Sequence, residues 1–340
     1  MKPDREQVKK WKEILSPYFG PDNRKSAVQL TISAALFFGA WALMYWSLDV
    51  SYFLTVALAI PTAGFLMRLF MIQHDCGHGA YFKSQKLANA IGFVIGVLTL
   101  TPYHYWRKTH AVHHAHSGDL DLRDFGEIMT LTIEEYEAKT PFQKFFYRVY
   151  RNPLVLFGPG AAFQFLIKHR YPWDVPREWK REWRSVWWTN LALVAIVAVA
   201  WFTIGIERFL LVQVPITLFA CALGVWLFYV QHQYEEAYWH RHEEWNYYDA
   251  GLHGSSFLEL PKPLQWLTAN IGLHHVHHLS SRIPNYRLQR VHDENPELWE
   301  VTKMSIADGL KTLHLALWDE SGKRLISFRE YRRGPTAAHS

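Results

Sequence analysis

Cysteine is almost missing from this chain: its 340 residues include only Cys76 and Cys221. That excludes a disulfide framework and suits a reducing compartment. Strong charge of one sign is missing too, since 36 Lys and Arg against 31 Asp and Glu leave a net +5. The basic residues lie beside apolar runs, so anionic lipid head groups are the expected partner and nucleic acid is not. Residues 1–25 are charged and lack a short apolar core followed by small residues, so no cleavable signal peptide is read there. Low-complexity tracts are absent, and the one recurring pattern is a spacing of histidines.

Long apolar runs and aromatic residues are plentiful. Sixteen Trp and 17 Tyr suit a protein that meets a membrane interface. Four runs, 28–48, 52–72, 186–206 and 209–230, each reach the roughly 20 residues that a helix needs to cross a bilayer. Asp49 to Ser51 makes the first tight turn, and Glu207-Arg208 is the expected connection between the third and fourth runs. Arg68 reads as a side chain reaching for head groups. The shorter segment 88–102 reads as re-entrant or interfacial, and 153–167 as an interfacial patch. Lys and Arg crowd the terminal and central polar regions and nearly avoid the two short turns, which places those regions in the cytoplasm. The expected fold is an all-α integral membrane protein with four transmembrane helices in two hairpins. Residues 1–27 would form an N-terminal cytoplasmic or interfacial segment and 28–300 the membrane domain. A cytoplasmic helical cap would comprise 73–185 and 231–300, and 301–340 a cytoplasmic tail.

Histidine carries the chemistry. His274, His277 and His278 stand at i, i+3 and i+4, as do His110, His113 and His114, while His74 and His78 form an i, i+4 pair. Such spacing sends imidazoles from one helix face together, and neutral imidazole is the commonest nitrogen ligand for transition metals. His232 joins them where the fourth run leaves the bilayer. Nine imidazoles are too many for one metal and enough for two. An all-nitrogen, redox-capable pair favours iron, whereas zinc would leave many histidines idle. The nearby carboxylates Asp75, Asp121, Glu235 and Glu236 would accept ring N–H bonds and orient the ligands. His275 points off the ligand face, and His104, His116, His240, His242, His253 and His292 lack the spacing, so structural roles are expected for them.

The histidine boxes at 74–78, 110–114 and 274–278 resemble those of the membrane fatty acid desaturases, and Trp226–His232 resembles that family's fourth-span motif. The stretches His113–Asp121 and Gly254–Leu260 resemble its bacterial acyl-lipid, omega-6 (delta-12) branch, and the likeness runs over about residues 30–300. The resemblance implies an O2-dependent di-iron dehydrogenation that inserts a cis double bond into a fatty acyl chain. It implies two iron ions on the nine histidines and O2 as co-substrate, in a bacterial inner membrane with the active site cytoplasmic. No cytochrome b5-like domain is read, so a separate donor of ferredoxin or cytochrome type would bring the electrons. Where the acyl-CoA branch has Asn four residues before the fourth-span histidine, this chain has Phe228, which counts against an acyl-CoA substrate. A related di-iron hydroxylase, ketolase or acetylenase is the rival within enzymes. The rival from another class is a metal transporter or storage protein, although transporters place polar ligands near the bilayer midplane.

Overall fold

The computed structural model describes residues 5–123 and 126–334. The outermost residues of the N-terminal segment (1–4) and of the tail (335–340) lie outside that description. Four helices are long and apolar enough to cross a membrane: Asn23–Ser47, Tyr52–His78, Lys180–Thr203 and Ile206–His232. Their outer faces expose Phe38, Phe53, Val199 and Phe202. In water that would be a liability; against lipid it is the expected surface, because the helices satisfy their own backbone groups. The protein is an integral membrane protein.

Each helix outruns the apolar run that announces it. The first starts at Asp22, whose side chain accepts from the N–H groups of Arg24 (2.9 Å) and Lys25 (3.2 Å). The second continues past Ile72 to His78, where Gly79 closes it in the left-handed region at φ 72°. The fourth ends on His232 itself. The third stops at Thr203, and the chain reverses at Gly205 rather than at the expected Glu207-Arg208. Gly205 has φ +81°, a conformation glycine adopts without steric cost. Glu207 and Arg208 instead open the fourth span, and the Arg208 guanidinium forks onto Asp49 with contacts of 2.8 and 2.7 Å. This bidentate pair ties the tips of the two hairpins together at the end away from the histidines.

The segment 88–102, expected to be re-entrant or interfacial, is the helix Gln85–Leu98 and the turn after it, where the chain bends by 100° into the helix Tyr103–His116. Gly92 makes the bend possible, since a Cβ there would lie 2.3 Å from the Tyr103 ring. The Tyr103 hydroxyl donates to Cys76 O at 2.9 Å and lies 3.0 Å from Asn89 Oδ1. The second histidine helix is thereby anchored to the end of the second span. Gly92→Ala is expected to cost about 1–3 kcal/mol through overpacking. A lowered thermal midpoint in detergent checks this; an unchanged one would mean that the ring moves freely.

Arg68 does not reach for head groups. It is 4% exposed, stacks 3.8 Å from the Trp266 ring centroid and donates to Ser33 Oγ (3.0 Å) and to Trp266 O. The short helix Lys262–Leu267 covers it, so it finds its partners inside the protein. The cap also holds small strands that leave no mark in the sequence. Leu131–Thr132 pairs with Leu315–Asp319, which pairs with Arg324–Ser327, and Phe257–Leu258 pairs with Lys303–Met304. Three of these strands have only two residues and carry no alternation that could be read, and the other two, of five and four residues, are buried at consecutive positions and do not alternate. They stitch residues 303–327 onto the cap, and the N-terminal helix Arg5–Leu15 joins it by burying Trp11 and Leu15 in one apolar cluster with Val276, Leu279, Leu288 and Val291.

Candidate metal centre

Four elements end at one place. The second span delivers His74 and His78, Tyr103–His116 delivers His110, His113 and His114, the fourth span delivers His232, and His274–Leu279 delivers His274, His277 and His278. Eight of the nine are buried and His78 is half-buried. They form two groups, His74, His78, His110, His114 and His277 in one and His113, His232, His274 and His278 in the other. Within each group one ring nitrogen from every member lies within 4.8 Å of all the others. Both i, i+3, i+4 boxes are split between the groups. At about 100° per residue, i and i+4 are only about 40° apart, whereas i+3 points about 60° to the other side of i. His113 and His277, the i+3 members, therefore each cross to the group opposite their box partners.

The ring nitrogens fit a metal better than they fit one another. His114 Nε2 faces His110 Nε2 at 3.1 Å and His277 Nε2 at 3.0 Å; His232 Nε2 faces His113 Nε2 at 3.2 Å and His274 Nε2 at 2.9 Å. One nitrogen carries either a proton or a lone pair and cannot satisfy two such neighbours. The Nε2 atoms of His74, His78 and His278 are buried without any hydrogen-bond partner, a cost the fold would avoid unless something binds there. Burial, reinforced by neighbouring imidazoles, holds His274, His277 and His278 well below the ordinary histidine range. They are neutral at physiological pH with lone pairs free to coordinate. The clusters are capable of binding metal, with nitrogen as the only donor type.

Behind the rings, one of the four expected carboxylates meets a ligand ring and three face elsewhere. Asp75 Oδ1 lies 3.1 Å from His74 Nδ1. Asp121 instead pairs with Arg241 at 2.8 Å and accepts from the His242 N–H at 2.9 Å. Glu235 is exposed and pairs with Arg324 at 2.6 Å, and Glu236 is exposed as well. These three stand on the solvent side, where arginine and water compensate them more cheaply than a buried imidazole could. The His232 ring is oriented by the backbone, its Nδ1 lying 3.0 Å from Gly254 O. Glu127 was not anticipated: its Oε1 lies 3.5 Å from His113 Nδ1, and burial pushes its carboxyl up to about 8. A lone acid in a polar loop gives no sequence signal of that kind. His275 faces His292 at 3.3 Å, away from both groups.

A cavity of about 340 Å³ opens beside the rings, with His74, His110 and His274 in its wall. It follows the second span past Met71 and Met67 and the fourth past Phe228, Gly224 and Thr217. From Gln231 to Thr217 the helical rise amounts to about 21 Å. Phe228 also lines the cavity, its ring 5.0 Å from that of His113.

Four apolar spans, two imidazole groups capable of binding metal and a largely apolar cavity beside them define a class of integral membrane protein built around a histidine-rich centre. Residues 51–308 match the fatty acid desaturase family. The chain is 45% identical over 317 residues to the fatty acid desaturase of Bacillus subtilis (strain 168), covering 93% of this chain and 90% of that protein. It belongs to the fatty acid desaturase family and is an oxidoreductase. The sn-1 oleoyl-lipid 12-desaturase of Synechocystis is more distant, at 25% identity over 81% of this chain and 78% of its own length. An omega-3 fatty acid desaturase of Nicotiana tabacum stands at 26% over 77% and 67%.

Proposed function

We propose that the nine histidines hold two iron ions and that the protein inserts a cis double bond into an acyl chain carried on a membrane lipid. The observation that supports this most is the convergence of otherwise unsatisfied ring nitrogens on two points beside a long apolar cavity. Iron with O2 and two external electrons supplies the oxidising power to take two hydrogens from adjacent methylenes, a reaction no side chain can perform. The balance is one CH2–CH2 unit, O2, two electrons and two protons giving one CH=CH unit and two waters.

The chain's own residues contribute placement. Asp75 and Gly254 O hold the rings of His74 and His232 from behind, so that each Nε2 points inward. The cavity strips water from the acyl chain and limits which methylene pair stands at the histidines. Phe228, in place of a water-holding Asn, favours a lipid-borne chain over a CoA ester. The positive-inside distribution favours a cytoplasmic active site served by a ferredoxin- or cytochrome-type donor. The motifs at 113–121 and 254–260, with the 25% likeness to an oleoyl-lipid 12-desaturase, favour the delta-12 (omega-6) position.

Expression in a host that supplies oleoyl lipids, followed by gas chromatography with double-bond location, tests this. A new 9,12-diene is expected. A diene with its second bond elsewhere contradicts the position, an alcohol favours the hydroxylase rival, and bound metal without O2-dependent turnover favours transport or storage.

A further inference from the structure

Asp75 sits in the last turn of the second span and is 3% exposed. Besides His74 Nδ1 on Oδ1, its Oδ2 accepts from both the backbone N–H and the side-chain Nδ2 of Asn285, each at 2.8 Å. Asn285 is 2% exposed and opens the helix Asn285–Glu294, so its backbone N–H is one of the donors a helix cannot satisfy internally. Its amide is fixed in turn by the first span. Gln29 Nε2 donates to Asn285 Oδ1 at 2.8 Å, and Asn285 Nδ2 also approaches Gln29 Oε1 at 3.3 Å. Turning that amide over would aim an oxygen at the Asp75 carboxylate and a donor at the Gln29 donor, so the network permits one orientation.

We propose that Asn285 is a positioning residue for the five-histidine group. Through Asp75 it fixes the His74 ring with its Nε2 aimed among His78, His110, His114 and His277, and Gln29 fixes Asn285. The proposal rests on the reading that this group holds one of two irons. Without the Asn285 amide, Asp75 Oδ2 keeps only the backbone donor, the carboxylate is free to turn, and the His74 ring loosens. No hydrogen bond of this relay reaches His113, His232, His274 or His278. The consequence is therefore local to one of the two irons.

The test challenges the iron-loaded full chain in detergent with a ferrous chelator and counts retained irons, with Mössbauer spectra of 57Fe-loaded samples separating the two sites. Wild type is expected to hold two irons. Asn285→Leu is expected to release one iron at a chelator concentration roughly 10- to 100-fold lower, with the other iron and its spectral doublet unchanged and excess ferrous iron restoring the first. Asn285→Asp, which keeps size and backbone N–H but sets oxygen against oxygen, is expected to do the same. Gln29→Leu, which leaves Asp75 and Asn285 in place, is expected to weaken the same site by a smaller factor and serves if either Asn285 variant fails to fold. Wild-type retention of both irons in the folded variants overturns the proposal, and so does equal weakening of both. A wild-type chain that takes up fewer than two irons overturns the underlying reading as well, a result distinct from variants that match a two-iron wild type.

Discussion

His277→Ala is expected to abolish desaturation and release iron while the protein still inserts into the membrane. The His277 Nε2 stands 3.0 Å from His114 Nε2 and crosses from its own box into the five-histidine group. Loss of a partner lying behind a metal ligand already costs about 10- to 100-fold, so loss of the ligand itself is expected to lower activity by at least roughly 10²-fold. His113→Ala is the matching test in the other group, which it leaves with three imidazoles out of four. Both residues lie outside the four spans, on Tyr103–His116 and His274–Leu279, so insertion has no reason to fail. Iron analysis and lipid profiling of the same membranes check this. Full activity in either variant would mean that the ring assignment is wrong.

Filling the cavity is expected to be nearly as damaging, with the opposite effect on metal. Gly224 lies in the cavity wall on the fourth span, two turns below His232, and a Cβ there would meet only the terminal methyl of Met67, at 2.9 Å. Met67 is flexible enough to yield, so Gly224→Leu is expected to leave the fold intact while placing four carbons in a slot of about 340 Å³. Misplacement of a substrate by about 1 Å can cost roughly 10²-fold. We expect a loss of that order on C18 chains, a smaller loss on shorter chains, and undiminished iron. Unchanged rates on C18 chains would mean that the acyl chain does not run along the fourth span.

These two variants separate what the sequence discloses from what it conceals. The spans are legible because hydrocarbon thickness dictates a run of fixed length, and the histidines are legible because helical spacing puts i, i+3 and i+4 on one side. Assignment of rings to groups is harder to read. The boxes look like three units, yet the rotation between i+3 and i+4 divides two of them, which only an arrangement of four helix ends makes visible. Helix ends are legible only where a pattern carries on: the i, i+4 spacing of His74 and His78 implies that the second span continues past the bilayer, whereas the stop at Thr203 and the turn at Gly205 are not announced. Arg68, Glu127 and Asn285 depend on partners 198, 14 and 210 residues away, and local pattern cannot report such pairings. The acids chosen by proximity in sequence, Asp121, Glu235 and Glu236, fail for the same reason, since a neighbour along the chain need not face the same way.

The central claim is that two irons sit at two imidazole clusters formed by these four elements. Anomalous diffraction from crystals of the iron-loaded protein, recorded above and below the iron absorption edge, tests it most directly. The account predicts two peaks, one among His74, His78, His110, His114 and His277 and the other among His113, His232, His274 and His278. A single peak, or iron density anywhere else in the molecule, would contradict it.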